Sequence, residues 1–240
     1  MDEEISVDDA ALRRMCHLFS HDLRNPLAAI VTNLEFARRM LDGVDEDLAE
    51  AVTDSVIACE VLRRIVANFE LISSPEPTAA SPEDLVIEDL LLEVVNKCRD
   101  QAAQAELTVD TSALEGRTVV RADKPRLQLA LENMIANSLQ HAPPRTDIRL
   151  TVAPGEGHHI DVLVEDDGPA VDEAIRAKAS APAMHTMKTR QPGMRYSRGL
   201  GLLAGRLAAQ SQGASMLIDE AKGRHRLVLS LPLATPLNAE

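Results

Sequence analysis

The sequence predicts an α+β protein in two parts, a helical hairpin followed by a two-layer α/β sandwich. In the first third of the chain, apolar residues recur at three- and four-residue steps, as in amphipathic helices. The stretch LISSPEPTAASP, rich in Pro, Ser and Ala, interrupts that pattern. Beyond it, short β-branched runs alternate with helical ones. We therefore expect a helical hairpin over 1–72, a linker over 73–82 and a sandwich domain over 83–240.

The hairpin is predicted from two helical patterns, at about 8–42 and 48–69, separated by a short break in which Gly43 favours a helix end. Each pattern places its apolar residues in one stripe along the helix. A lone hairpin cannot bury both apolar stripes, so we expect two copies to pair as a four-helix bundle. The stripe positions are Leu12, Cys16, Phe19, Leu23, Leu27, Ile30, Leu34, Ala37 and Leu41, then Leu48, Val52, Ser55, Cys59, Leu62, Val66 and Phe69.

The second part is predicted to contain helices packed on one face of a largely antiparallel sheet. Residues 172–198 show weak periodicity and contain two prolines, so we expect mostly loop there. The predicted strands are 85–87, 107–109, 118–120, 148–152, 160–164, 214–218 and 226–231, and the predicted helices are 88–105, 125–141 and 200–210.

Composition limits the classes of partner. The 240 residues carry 25 basic and 38 acidic side chains, a formal charge of −13, so generic binding to nucleic acid or anionic lipid is disfavoured. The three cysteines lack metal-ligand spacing and suit a reducing compartment. No apolar run approaches the roughly 20 residues of a membrane span, and the N-terminus has no secretory pattern. A cytoplasmic location without a membrane span is expected.

The first candidate site is the segment SHDLRNPL. His21 lies two residues after Phe19, about 200° around a helix, so it leaves the apolar stripe and is expected to face solvent. Asp22 can hydrogen-bond one ring nitrogen and leave the other free as a nucleophile, and Pro26 bends the helix beside it. A solvated surface histidine would fit the same segment.

The second candidate is the pair Asn133 and Asn137, one turn apart on the predicted helix 125–141. Two amide oxygens on one helix face could share a hard cation such as Mg²⁺. Two solvated asparagines would show the same spacing, so the pair alone does not establish a site.

Two glycine-containing segments complete the set. In VEDDGPAV, an acidic turn at a strand end, a carboxylate could accept a hydrogen bond from an exocyclic amine, and Gly168 would let backbone approach a ring. RGLGL opens a predicted helix, where exposed backbone amides favour phosphate. Each signal is weak alone, and the order and separation of all four segments carry the argument.

Together the segments resemble the transmitter core of bacterial two-component sensor histidine kinases, from about residue 10 to 233. SHDLRNPL resembles the phosphoacceptor histidine box, and ENMIANSLQHAP resembles the asparagine box of a GHKL-type ATP-binding domain. VEDDGPAV and RGLGLLAGRLAAQSQGA resemble parts of the two glycine boxes. The resemblance implies a homodimeric protein histidine kinase that uses ATP and Mg²⁺ and passes phosphate to a response regulator receiver domain.

The resemblance also implies roles for the matching residues. His21 would accept the phosphoryl group, Asp22 would be the neighbouring acid–base residue, and Asn25 would position water for dephosphorylating the partner. Asn133 and Asn137 would lie near Mg²⁺. Asp166 would read the adenine amine. The implied nucleotide-binding set is Asn133, Asn137, Gln140, His141, Asp166, Gly168, Arg198, Gly199 and Gly201.

The chain departs from the family pattern in several places. Gln140 stands where many members have a phosphate-holding Lys, and Ala170 and Ser197 replace glycines of the two glycine boxes. No Phe occurs between 172 and 198, so a phenylalanine box is missing. Four basic residues of that segment could restore the lost charge, or form a solvated loop: Lys188, Arg190, Arg195 and Arg198.

These departures keep other functions open. One alternative is an ATP-incompetent histidine phosphotransferase or phosphatase, which would use His21 and the bundle while the second domain serves as a docking surface. Another is a non-catalytic dimeric interaction module or a related ATPase. No sensory domain is found in the sequence, so the signal is expected through a removed segment or a separate sensor protein.

Overall fold

A computed structural model of the chain divides into two compact units, Met1–Thr78 and Ala79–Glu240. The division falls inside the predicted linker 73–82, of which 74–80 lie outside the described residues, so the linker stays a prediction. The described residues are 23, 27, 28, 30–40, 46–73, 81–114, 116–168, 196–221 and 223–234; for 46 and 196–200 only the backbone is described.

The first unit contains two described helices, α1 over residues 30–40 and α2 over Glu46–Ser73. Both lie where the sequence predicts them. Much of their apolar surface is uncovered, which is the property expected of helices that need a further partner. The exposed large apolar side chains of this unit are Ile30, Phe36, Met40, Leu48, Leu62 and Phe69.

The second unit contains a five-stranded sheet with strand order β2-β4-β5-β7-β6. The β2–β4 pair is parallel, and the remaining neighbours are antiparallel. A separate antiparallel pair joins β1 to β3. In chain order the elements are β1 (Glu83–Val86), α3 (Ile87–Gln104), β2 (Thr108–Asp110), β3 (Val119–Ala122), α4 (Lys124–His141), β4 (Asp147–Pro154), β5 (His159–Asp166), α5 (Tyr196–Gln210), β6 (Ser215–Ala221) and β7 (Arg224–Pro232).

The core of this unit lies between the helices and one face of the sheet. Burial alternates along β5 and through much of β7, as expected when one face of a strand is covered. Helix α4 contacts β4 and β5 and packs beside α3 and α5. The predicted fold class, a helical region followed by a two-layer α/β sandwich, is confirmed. The largest fully buried side chains are aliphatic or Met: Ile87, Leu91, Val94, Leu127, Leu131, Met134, Ile135, Ile148, Leu150, Leu227, Leu229 and Leu231.

Local sequence signals fix both ends of α4. Asp123 caps its first turn, because the Oδ1 atom accepts a hydrogen bond from the Arg126 backbone N–H at 3.1 Å. Pro125 occupies that first turn, where a missing N–H costs nothing. The helix ends at His141, two residues before Pro143. The asparagine-containing segment is therefore held on a well-defined helix.

Several predicted boundaries are wrong. Ile87, predicted to end a strand, begins α3. Residues 196–198, predicted as loop, form the first turn of α5, four residues before the predicted start at Leu200. Gly199 in the first turn and Gly201 in the next weaken the local helix signal, and packing of α5 against α4 overrides it. The rest of the predicted loop lies outside the described residues. No helix in the described part of the chain is long and apolar enough to cross a membrane.

Candidate functional site

Asp166 forms the centre of the candidate site, at the last residue of β5. Its side chain has no exposed surface. The Gly168 backbone N–H donates a hydrogen bond to Asp166 Oδ1 at 2.8 Å, and His225 Nδ1 lies 3.2 Å from Oδ2. The carboxylate is therefore fixed by groups from the turn that follows β5 and from the neighbouring strand β7.

These contacts set the charge of Asp166. Burial alone would raise the pKa of the carboxyl, but hydrogen bonds from His225, Ser138 and Gly168 outweigh burial, so the pKa is lowered. The Ser138 contact is the weakest geometrically, because its Oγ has no hydrogen-bond partner of standard geometry. An ionised carboxylate only accepts hydrogen bonds, so Asp166 is suited to bind a donor such as an exocyclic amine.

Gly168 links the turn after β5 to the end of α4. A Cβ atom at this position would lie 2.5 Å from Asp166 Oδ1 and 3.1 Å from the His141 carbonyl oxygen. No larger residue fits without moving one of these groups. The structure thus brings together three of the predicted nucleotide-binding residues: Asp166, Gly168 and His141.

The two asparagines lie further back along α4. Asn133 is buried, with 3% of its surface exposed, and its Nδ2 donates a hydrogen bond to the Leu129 carbonyl at 2.9 Å. This excludes the alternative of two solvated asparagines. Asn137 is half-buried and lies one turn from His141. At about 1.5 Å per residue, Asn133 lies roughly 12 Å along the helix from His141.

Helix α5 approaches α4 beside this pair through a glycine that the sequence prediction missed. A Cβ on Gly205 would lie 3.2 Å from Met216 Sδ and 3.5 Å from Asn133 Cβ. Gly201 lies one turn earlier on the same helix. Because α5 begins at Tyr196, the Gly201 amide is past the four unpaired N–H groups of the first turn. A glycine can flank a nucleotide without donating its amide, so the predicted place of Gly199 and Gly201 beside the nucleotide stays a prediction.

The remaining predicted residues fall into two groups. Gln140 is exposed near the end of α4, and Arg198 and Gly199 lie in the first turn of α5. The predicted catalytic residues and most of the basic segment lie outside the described residues, so their placement stays a prediction: His21, Asp22, Asn25, Lys188, Arg190 and Arg195.

Two polar neighbours of Asp166 were also missed by the sequence prediction. His225 is buried on β7 and pairs in register with Asp166 on β5. Arg224, the preceding residue, forms an ion pair with Asp167, with 2.8 Å between Nε and Oδ1. Side chains alternate between the two faces of β7, which places His225 on the same face as the buried leucines of that strand. Only this alternation could have indicated the contact between His225 and Asp166 from the sequence.

The described residues contain no group of three His, Cys, Asp or Glu side chains that could hold a metal ion. The predicted asparagine pair offers amide oxygens, which hard cations accept as ligands.

Comparison with protein families gives two matches. Residues 11–78 match the His Kinase A (phospho-acceptor) domain, and residues 122–235 match the histidine kinase-, DNA gyrase B- and HSP90-like ATPase domain. The candidate site residues at the end of β5 and on α4 and α5 fall within the second match.

Similar proteins are sensor kinases. The chain is 26% identical over 234 residues to the probable sensor histidine kinase TcrY of Mycobacterium tuberculosis, with 95% of this chain and 47% of the relative aligned. It is 25% identical over 225 residues to the sensor histidine kinase CpxA of Escherichia coli, covering 92% of this chain and 47% of that protein. The chain thus spans about half the length of these curated relatives.

Solved structures share the fold. Full-length ShkA in complex with AMPPNP matches with a TM-score of 0.59 and 20% identity, over 93% of this chain and 46% of that one. The catalytic domain of histidine kinase ThkA matches with a TM-score of 0.52 and 18% identity, over 64% of this chain and 96% of that one. With both domain matches in their expected order, the chain belongs to the two-component sensor histidine kinases and carries the transmitter core of that family.

Proposed function

We propose that this chain transfers the γ-phosphoryl group of ATP to His21 and then to an aspartate on a response regulator receiver domain. One observation carries the proposal: Asp166, Gly168 and His141 meet at one end of α4, and the asparagine pair lies one and two turns away on the same helix. A nucleotide has a hydrogen-bonding base at one end and phosphates at the other, so a site with these two ends fits it.

The base is assigned to the Asp166 end. The ionised carboxylate accepts a hydrogen bond from the adenine amine, whereas a keto oxygen at that position would face a negative charge. Gly168 leaves the base room, because a side chain there would fill the space between Asp166 and the His141 carbonyl. This arrangement favours ATP over nucleotides with a keto group.

The phosphates and Mg²⁺ are assigned to the asparagine end. The Asn133 amide is oriented with Nδ2 towards the Leu129 carbonyl, so its oxygen is the end directed away from that carbonyl. Amide oxygens are ligands that hard cations accept, so Asn133 and Asn137 fit Mg²⁺ as its protein ligands. Bound Mg²⁺ would offset phosphate charge, a need increased by the net charge of −13.

The phosphoacceptor half is assigned from the sequence and from the first unit. His21 is the nucleophile, Asp22 holds the imidazole tautomer, and Asn25 orients water in the reverse reaction. The exposed apolar side chains of α1 and α2, among them Leu48 and Leu62, support a homodimer in which a second hairpin covers them. The reaction is placed in the cytoplasm, where ATP is abundant, with the signal arriving from a segment or protein outside this chain.

A second candidate function is an ATP-incompetent phosphotransferase or phosphatase. One observation favours it: Asp166 has no exposed surface, and each of its oxygens already has a protein partner. A nucleotide must therefore open this end of the site or use the remaining lone pairs of the carboxylate.

Titration of the protein with Mg·ATP, followed by incubation with labelled ATP and a receiver domain, separates the two functions. The proposal predicts saturable ATP binding and label that appears first on the kinase and then on the receiver. A protein that takes up phosphate from a phosphorylated receiver, but neither binds ATP nor labels itself, would instead support the second candidate.

A further inference from the structure

His225 is a buried histidine whose side chain makes a single hydrogen-bonding contact among the described residues, to Asp166. It is 4% exposed on β7, and its Nδ1 lies 3.2 Å from Asp166 Oδ2 on β5. The other ring nitrogen, Nε2, is buried and has no hydrogen-bond partner in the described part of the chain. As a core residue alone, an imidazole here offers nothing that an apolar side chain of similar size would lack, so its contact with Asp166 needs an explanation.

The chemistry of that contact fixes the imidazole. The lowered pKa of Asp166 makes it an ionised acceptor, so Nδ1 must carry the proton and donate to Oδ2. Because the register pairs His225 directly with Asp166, the donor comes from the neighbouring strand rather than from a flexible loop. Strand pairing thus holds donor and acceptor in one geometry.

We propose that His225 is a positioning residue that determines which base the nucleotide site accepts. By donating to Asp166, it orients the carboxylate and stabilises the charged form, which accepts a hydrogen bond from an exocyclic amine and repels a keto oxygen. Without that donor the buried carboxyl is more easily protonated, and a protonated carboxyl can donate to a keto oxygen. The inference rests on the proposed nucleotide site and extends it to base specificity.

The test compares Mg·ATP with Mg·ITP, in which a keto group replaces the adenine amine, by calorimetric titration of the full chain. His225→Leu fills the space without a donor. His225→Asn retains an amide N–H near the position of Nδ1. His158→Asn, an exposed histidine between β4 and β5, is the matched control. Thermal unfolding of every variant accompanies the titrations.

The wild type is expected to prefer ATP. His225→Leu should lower the ATP-to-ITP affinity ratio about tenfold or more, the equivalent of one hydrogen bond to a charged group. His225→Asn should stay within about threefold of the wild-type ratio, as should the control. Rescue by the amide distinguishes donation to Asp166 from simple filling of the core.

His225→Gln serves as a second variant if the Leu protein does not fold, because its amide reaches the position of Nε2 rather than Nδ1. An unchanged ATP-to-ITP affinity ratio in folded His225→Leu or His225→Gln would overturn the inference. Loss of folding in both of these variants would also overturn it, because it would mark a structural role for His225. A wild type that binds neither nucleotide would refute the proposed ATP site itself. A wild type that binds ATP, with a ratio insensitive to His225, would refute only this inference.

Discussion

Replacing Gly168 with alanine perturbs the contact between the acidic turn after β5 and the end of α4. The new Cβ would lie 2.5 Å from Asp166 Oδ1, closer than real Cβ atoms approach an oxygen, and 3.1 Å from the His141 carbonyl. The backbone carbonyl cannot move without disturbing α4, so the carboxylate has to shift. That shift breaks the 2.8 Å hydrogen bond from the Gly168 N–H to Oδ1.

The magnitude follows from the bond that is lost. A hydrogen bond to a charged group contributes about 1.5–3 kcal/mol, which corresponds to roughly a tenfold to hundredfold change in an equilibrium constant. Because the same carboxylate is proposed to read the base, Gly168→Ala should weaken Mg·ATP binding by that factor. The melting temperature should fall by about 3–12 °C, since 1 kcal/mol shifts a protein of this size by about 2–4 °C.

Calorimetric titration with Mg·ATP and thermal unfolding measure the two effects. Gly155→Ala is a matched control, because its Cβ would lie 2.7 Å from Asp161 Oδ1, a comparable clash with a carboxylate at the opposite end of β5. The control should lose stability and keep its ATP affinity. If Gly168→Ala binds ATP like the wild type, or if the control weakens binding equally, the assignment of the base to Asp166 is refuted.

Three further predictions concern individual side chains. Asn137→Ala should weaken the affinity for Mg·ATP at least tenfold and leave the affinity for Mg-free adenosine within about threefold, both measured by titration. The reason is that the substitution removes a ligand near the metal and phosphates rather than near the base. Equal losses of affinity for the two ligands would contradict the role of Asn137. The lowered pKa of Asp166 means that its stabilising contribution is present above the unfolded pKa of about 3.9 and is lost as the pH falls through the lower folded value. Acid unfolding of Asp166→Asn should therefore depend less steeply on pH below about 4 than that of the wild type, and identical slopes would argue against an ionised Asp166. Asn25→Ala should leave the autophosphorylation rate within about twofold of the wild type but slow dephosphorylation of the regulator, since an amide orients water and cannot replace the imidazole. If Asn25 instead only tolerates the backbone restriction that Pro26 imposes on the preceding residue, both rates would change together or not at all.

The sequence predicted the fold where periodicity was strong. The antiparallel hairpin β4–β5 and helix α4 were predicted to within a few residues, because alternation and the 3.6-residue repeat are local properties. The start of α5 was missed because glycines in its first turns give a weak local signal. Long-range packing, here against α4, decided its length.

The site was only partly predictable for the same reason. Asp166, Gly168 and the asparagine pair belong to recognisable segments, whereas the partners that fix them come from distant positions. His225 is 59 residues from Asp166 in the chain, and only strand pairing brings them together. A Cβ on Gly205 would lie 3.5 Å from Asn133 Cβ, a closeness that comes from helix packing and that no sequence spacing encodes. Contacts that depend on register or on helix approach are visible only in the folded chain.

The most direct test of the proposed kinase is incubation with ATP labelled at the γ-phosphate, using the wild type, His21→Ala and His17→Ala. His17 lies four residues before His21 on the same predicted helix, so it controls for general effects of losing a histidine there. We predict acid-labile, base-stable label on the wild type and on His17→Ala, and none on His21→Ala. Label that persists on His21→Ala, or a wild type that binds Mg·ATP without acquiring any label, would contradict the assignment of His21 as the phosphoacceptor.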